Sequence, residues 1–389
     1  MTDVVAASTD IGPVLDSVVI GAGQAGLSAS YHLRRLGLEH VVLDADDAPG
    51  GAWRHRWDSL SMDDVHGVAD LPAGRAPGRG RDRANVVIPA WFGAYERTHG
   101  LPVVRPVRVD RVENAGDLLV VRAGSRSWTT RTVVNATGTW TRPFVPYYPG
   151  QETFRGEQLH TVDYPGADHF RGKRTLVVGG GASAVQFLGE LRPLTETVWV
   201  TRTEPVWRDG AGEFDGRAAI ALVEERVRRG LPPRSVVSVT GLRLRPQEQE
   251  AARLGAYERR PMFARIEPDG VRWADGSFER VDVILWATGF RPAVAHLAPL
   301  GLTSRYGGIR LLTSTSDVQS ATTSAVDPRV QLVGYGPSAS TIGGNRAGRA
   351  AARAVQRVVL ETRSTSNGGR PVDPLGSGAG VAADDRAVG

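Results

Sequence analysis

The chain has 389 residues, 41% hydrophobic and 23% charged, with a formal net charge of +5 and no cysteine. That is length enough for two domains of ordinary globular composition. The missing cysteine excludes disulfides, thiolate metal sites, iron–sulfur clusters and a dithiol redox relay. The positive charge is almost all arginine, with Lys173 the only lysine, and it is scattered along the chain. Its densest run, GRAPGRGRDR at 74–83, has no interleaved aromatic platform and reads as a solvated loop rather than a grip on nucleic acid. The first ten residues lack a basic stretch followed by an apolar core, and no apolar run approaches the ~18 residues of a membrane span. A cytoplasmic protein with neither nucleic acid nor membrane as partner is expected, and no metal site is predicted.

In chain order, the first strong signal lies at 15–26, LDSVVIGAGQAG. A β-branched run, Val18-Val19-Ile20, leads into Gly21-x-Gly23-x-x-Gly26, with Gln24 and Ala25 between the last two glycines. A helical pattern follows, with Gly37 as its terminator. The next strand, HVVLD, ends on Asp44, 18 residues beyond Gly26. Each part has a physical task. Gly21 permits the tight turn, Gly23 lets the backbone approach a pyrophosphate, and Gly26 lets helix and strand pack closely. The helix N-terminus attracts the phosphate, and Asp44 is placed to accept from a ribose diol.

Further on comes GGAW at 50–53, which holds Gly51 and Trp53, and then WRHRWDSLSMDDVHG at 53–67, which holds Asp64 and His66. VVNATGTW ends a hydrophobic strand in Ala136-Thr137-Gly138, and ILWATGF does the same in Ala287-Thr288-Gly289. A glycine there lets the chain turn back at the edge of a nucleotide domain. Between them, TLVVGGGASA repeats the first device as Gly179-x-Gly181-x-x-Ala184, with Ser183 in the helix's first turn. Its following strand ends in Arg202. A carboxylate would repel a 2'-phosphate, whereas a guanidinium holds one with parallel charged hydrogen bonds. The first unit therefore suits FAD or NAD and the second NADPH. Residues 330–355 read as a strand, a glycine-rich turn containing Gly334 and Ser340, and a small-residue helix whose N-terminus would point towards a flavin.

One segment resists secondary-structure reasoning. FRGEQLHTVDYP, 154–165, taken alone, is a turn glycine, two core aromatics and a histidine satisfied by a backbone carbonyl. Together with GxGxxG, GGAW, the two ATG motifs and GxGxxA, however, the order Phe154-x-Gly156-x-x-x-His160-x-x-x-Tyr164 resembles the class B flavin-dependent monooxygenases over residues 14–361. These comprise flavin-containing, YUCCA-type and Baeyer–Villiger enzymes. Tyr164 matches the flavin-containing form, where Baeyer–Villiger enzymes carry tryptophan; Pro165 is the feature shared with the latter.

The resemblance implies an α/β fold of two Rossmann-like dinucleotide-binding domains, the NADPH domain (164–287) inserted into a discontinuous FAD domain (14–163 and 288–361). Residues 362–389 are rich in Gly, Ser and Pro and form an expected disordered tail. It implies that NADPH reduces FAD, that dioxygen adds at the flavin C4a carbon, and that one oxygen atom passes to a small organic substrate, at nitrogen or sulfur. His160 would couple domain position to catalysis. The resemblance implies that Gly51 and Trp53 contact the cofactor and that the 53–67 segment approaches the flavin ring, with Asp64 or His66 near the reacting atoms, against the alternative of a surface loop with solvated carboxylates; an asparagine often found in this segment in the family is absent. Baeyer–Villiger oxygenation and a plain NADPH oxidase or flavin reductase remain alternatives, as does a nucleotide-sensing protein on the same fold. A homodimer is compatible with the sequence.

Overall fold

The computed structural model describes residues 13–65, 68–207, 223–233, 241–242, 244–312 and 322–367. His66 therefore lies outside the described residues. The first sheet is built around β1 (Leu15–Ile20), of which every residue after the first is buried. Its closing Val18-Val19-Ile20 run suits a strand covered on both faces. After helix α1 (Gln24–Arg35), β2 (His40–Leu43) returns parallel to β1. Helix α2 (Ala84–Thr98) leads to β3 (Val103–Val104), parallel and outside β2. Strands β4 (Arg111–Ala115) and β5 (Leu118–Ala123) form an antiparallel meander onto β6 (Arg126–Asn135), whose last residues lie parallel to β1.

The chain then crosses to a second sheet. Strands β7 (Glu157–His160), β8 (Thr175–Val178), β9 (Thr197–Val200), β10 (Arg259–Arg260) and β14 (Val283–Trp286) lie in the order β10-β9-β8-β14-β7, all parallel. Helix α3 (Ala182–Leu191) follows β8 and packs on α4 (Pro246–Arg253). A small antiparallel sheet, β11 (Arg265–Glu267), β12 (Gly270–Arg272) and β13 (Phe278–Arg280), precedes β14. After β14 the chain recrosses, and β15 (Val330–Leu332) pairs in parallel with the end of β6. Helix α5 (Thr341–Asn367) closes the first unit against α1. The approach is close: a Cβ on Gly348 would stand 2.5 Å from Ser28 Oγ. The fold is the expected α/β arrangement of two Rossmann-like units.

Two boundaries differ from the sequence reading. Strand β7 lies before residue 164 yet pairs along its length with β14, Glu157 with Val283 through His160 with Trp286. By strand pairing, the second unit starts there. Helix α5 runs to Asn367, beyond the start of the expected tail at 362. Glycine and proline begin only after that point, so an established helix propagates through TRSTSN at little cost. Arg363 then donates to the buried carboxylate of Asp16, at 3.0 and 3.2 Å. Residues 368–389 lie outside the described residues.

Candidate functional site: two nucleotide loops and a hinge

Each glycine loop sits at the C-terminal end of its first strand, with the ATG turn of the neighbouring parallel strand behind it. Gly21 has φ +100°, and a Cβ there would stand 2.6 Å from the Ala136 carbonyl oxygen. Gly179 has φ +141°, and its Cβ would stand 2.2 Å from the Ala287 oxygen. Behind the loops the backbone is thus as tight as glycine allows. In front of them it is open: a Cβ on Gly23 or Gly181 would meet nothing within 4 Å. That open side is where a pyrophosphate fits, against the N-termini of α1 and α3.

The first loop has further neighbours. Gly51 lies against Gly23, and Gly334 and Gly344 lie against Ala25. Gln24 Nε2 donates to the Ala69 carbonyl (2.9 Å) and reaches Asn345 Oδ1 (3.4 Å). Ser340 caps α5: its Oγ accepts from the Gly343 N–H at 3.0 Å and its carbonyl from the Gly344 N–H at 2.7 Å. The N-termini of α1 and α5 therefore converge on one place, which concentrates positive potential for an anion. Trp53 ends the turn beside Gly51.

Asp44 is buried at the end of β2. Arg105 Nε donates to its Oδ2 at 3.1 Å, the Asp46 N–H to its Oδ1 at 3.3 Å, and Arg105 also makes a bidentate pair with Glu96 at 2.7 Å. Burial raises the Asp44 carboxyl above its usual range, and the Arg105 charge opposes that rise. Each carboxylate oxygen keeps a free lone pair for a ribose hydroxyl. The Arg105–Glu96 support was not legible in the sequence, because Arg105 meets Asp44 only once β3 is known to pair beside β2. Arg202, which follows Thr201 beyond the end of β9, is exposed and has no hydrogen bond or ion pair with the described residues. Ser183 and Ala184 lie in the first turn of α3, Ala184 fully buried.

The two crossings between units are buttoned to each other. Thr137 Oγ1 donates to the Ala293 carbonyl at 2.6 Å, while Thr288 Oγ1 donates to the Phe144 carbonyl. The Phe144 N–H donates to Gly289 O at 3.0 Å, and the Arg291 N–H to Arg142 O at 2.8 Å. Gly138 and Gly289 have φ of +62° and +80°. His160 joins this clasp: its Nε2–H donates to the same Gly289 oxygen at 3.0 Å, and its Nδ1 accepts from the Val162 N–H at 3.3 Å. That pattern fixes the neutral ring, and burial lowers its pKa. His160 is thus satisfied by a carbonyl, but the carbonyl belongs to the hinge. Tyr164 is buried, stacked on Phe170 (5.5 Å) and tilted against Phe187 (4.4 Å).

Asp64 is drawn to the second unit. Its carboxylate accepts from Ser61 Oγ at 2.6 Å, and its backbone oxygen accepts from Gln186 Nε2 at 3.1 Å and from Arg245. Trp57 packs beside it on Phe187, at 4.8 Å, and edge-on to Tyr164, at 6.0 Å. The 57–65 segment therefore seals the seam between the units. Glu190 faces that seam from α3, and burial raises its pKa.

The sequence pattern of the pyridine nucleotide-disulphide oxidoreductase family matches residues 15–320. A solved flavin-containing monooxygenase from Stenotrophomonas maltophilia is 37% identical, with a TM-score of 0.75, covering 90% of this chain and 99% of that one. The rice indole-3-pyruvate monooxygenase YUCCA1 is 32% identical over 182 residues, 44% of this chain and 43% of its own. A Baeyer–Villiger monooxygenase from Streptomyces coelicolor is 28% identical over 199 residues, 49% of this chain and 38% of its own.

Proposed function

The chain belongs to the class B flavin-dependent monooxygenases, and on that premise we propose that it binds FAD in the first unit and NADPH in the second and transfers one oxygen atom to nitrogen or sulfur of a small organic substrate. When bound, the two cofactors supply the redox chemistry: NADPH, a proton, dioxygen and substrate give NADP⁺, water and the oxygenated product. The observation that carries the reading is the pair of loops, each open in front of its middle glycine and closed behind its first. Gly21, Gly23 and Gly26, with the converging N-termini of α1 and α5, would hold the FAD pyrophosphate, and Asp44 its ribose. Gly179, Gly181 and Ala184 would hold the NADPH pyrophosphate, and Arg202, which has no partner among the described residues, its 2'-phosphate.

The remaining task of the protein is to orient the units and exclude water, because a wet site releases hydrogen peroxide instead of product. His160 performs the first part. It donates from Nε2 to a hinge carbonyl rather than exchanging protons, so it acts as a positioning residue. Trp57 and Asp64 close the seam. Tyr164 at the last position of the signature, together with the short second unit, favours heteroatom oxygenation over conversion of ketones to esters.

The test is purification followed by aerobic turnover. About one non-covalent FAD per chain is expected, with NADPH consumption rising on addition of sulfides or amines and little peroxide formed. Lactone formation from cyclic ketones without turnover of sulfides or amines would reverse the substrate assignment. NADPH consumption matched by peroxide under every condition would identify an oxidase.

A further inference from the structure

Arg54, His55 and Arg56 follow the turn at 51–53, and the first two of them have carboxylate partners. Arg54 donates to Asp47, and His55 Nε2 lies 3.0 Å from Asp46 Oδ1. Arg56 is not matched. Among the described residues its side chain has no hydrogen bond or ion pair, and its Nε is buried without a partner. What surrounds it is tryptophan: the guanidinium carbon lies 4.5 Å from the ring centroid of Trp140, 5.6 Å from Trp53 and 6.0 Å from Trp57. Ring faces attract a cation but cannot accept from the five N–H groups along the guanidinium edge. Burial lowers its pKa to about 10, which leaves it charged at neutral pH.

The cage stands where the units meet. Trp53 adjoins the turn that touches Gly23. Trp140 follows the first ATG and stacks at 5.1 Å on Phe290, which follows the second. Trp57 reaches Phe187 on α3. A half-buried cation with its faces stacked and its edge unpaired is arranged for a planar or tetrahedral oxyanion, which takes two parallel N–H groups at once. We propose that Arg56 seats an oxyanion carried by a ligand bound between the two units, either a phosphate of the nicotinamide nucleotide or a carboxylate of the substrate.

This rests on the two-nucleotide oxygenase reading, so the experiment separates the two. The flavin-loaded protein is compared with Arg56→Met and Arg56→Lys by calorimetric binding of NADP⁺. The same three proteins are compared by tryptophan-fluorescence titration with methyl phenyl sulfide and 4-(methylsulfanyl)benzoate, which share the sulfur and differ by the carboxylate. Arg56→Met is expected to keep its flavin and its melting temperature and to lose affinity for one anion roughly tenfold to a hundredfold. Arg56→Lys is expected to fall between. Loss for NADP⁺ identifies a phosphate, and loss for the benzoate alone identifies a carboxylate. Unchanged affinity for both anions in Arg56→Met would overturn the proposal. So would a wild-type protein that binds neither, or a methionine variant that only melts lower, which would make Arg56 a strut of its cage. A wild-type protein that binds NADP⁺ but oxygenates nothing would defeat the oxygenase reading and leave the anion seat standing.

Discussion

The two nucleotide units solve one problem with the same backbone and different side chains. In both, a glycine of positive φ backs onto an alanine carbonyl of the neighbouring strand. At the helix they part. A Cβ on Gly26 would stand 1.9 Å from the Gly21 carbonyl oxygen, whereas the second unit carries a real Cβ at Ala184, fully buried. They part again at the end of the next strand. Asp44 is buried and braced by Arg105 and Glu96, while Arg202 is exposed and has no partner among the described residues. On the proposed assignment of the two sites, the difference suits a first unit that keeps its ligand and a second that exchanges it: a braced, buried acceptor fits a resident cofactor, and an exposed cation fits a ligand that comes and goes.

The largest expected effect tests the helix contact. Gly26→Ala should destabilise by about 3 kcal/mol or more and yield protein without flavin, because the added carbon meets fixed backbone. Ala184→Gly should cost only about 0.5–1 kcal/mol. Urea unfolding and flavin absorbance would report both, and similar losses in the two variants would break the contrast.

Acid should also act unevenly. Burial pushes His32 and His296 down to about 4, and lowers His40 as well; all three belong to the first unit. Each binds its proton more weakly folded than unfolded. From pH 6.5 down to about 4 the unfolded chain therefore takes up more protons, and stability falls with pH by up to about 1.4 kcal/mol per unit for each fully shifted histidine. His160 adds a smaller contribution in the second unit. Flavin should leave at a higher pH than NADP⁺ affinity is lost. A His32→Gln, His296→Gln double variant with an unchanged slope between pH 7 and 5 would refute this.

Next comes the strand-end charge. Arg202→Ala should weaken NADPH by about 1.5–3 kcal/mol relative to NADH. Its melting temperature should not move, since the side chain touches no described partner. An unaltered preference for NADPH would remove Arg202 from the site. The smallest effect concerns the end of the first unit. Ending the chain after Thr362 removes Arg363 from Asp16, which retains the Glu39 N–H at 3.1 Å and Arg131 at 3.8 Å. A loss of about 0.5–1 kcal/mol is expected, with flavin content unchanged. A larger loss would show that the last turns of α5 hold the first unit together.

The two loops, the strand before each, the helix after each and the polarity at Asp44 and Arg202 were all readable from the residues. These are local devices: glycine at a forced φ, a β-branched run, and a charge at a fixed distance along one supersecondary unit. The residues that join the units were not. Arg105 reaches Asp44 across 61 positions, Thr137 reaches Ala293 across 156, and His160 reaches Gly289 across 129. Arg56 sits in the readable segment WRHRWD, but Trp140 completes its cage from beyond β6. Asp64, a candidate for the reacting ring, also meets Gln186 and Arg245 across the seam through its backbone oxygen, a contact that no local pattern carries. Sequence alone determined the two glycine loops and the charge that follows each, because those devices are contained within about thirty residues of chain. Only the tertiary structure decided how the halves are held, because a hinge is made of contacts between segments that the sequence keeps far apart, and no local pattern encodes which carbonyl a distant hydroxyl will find.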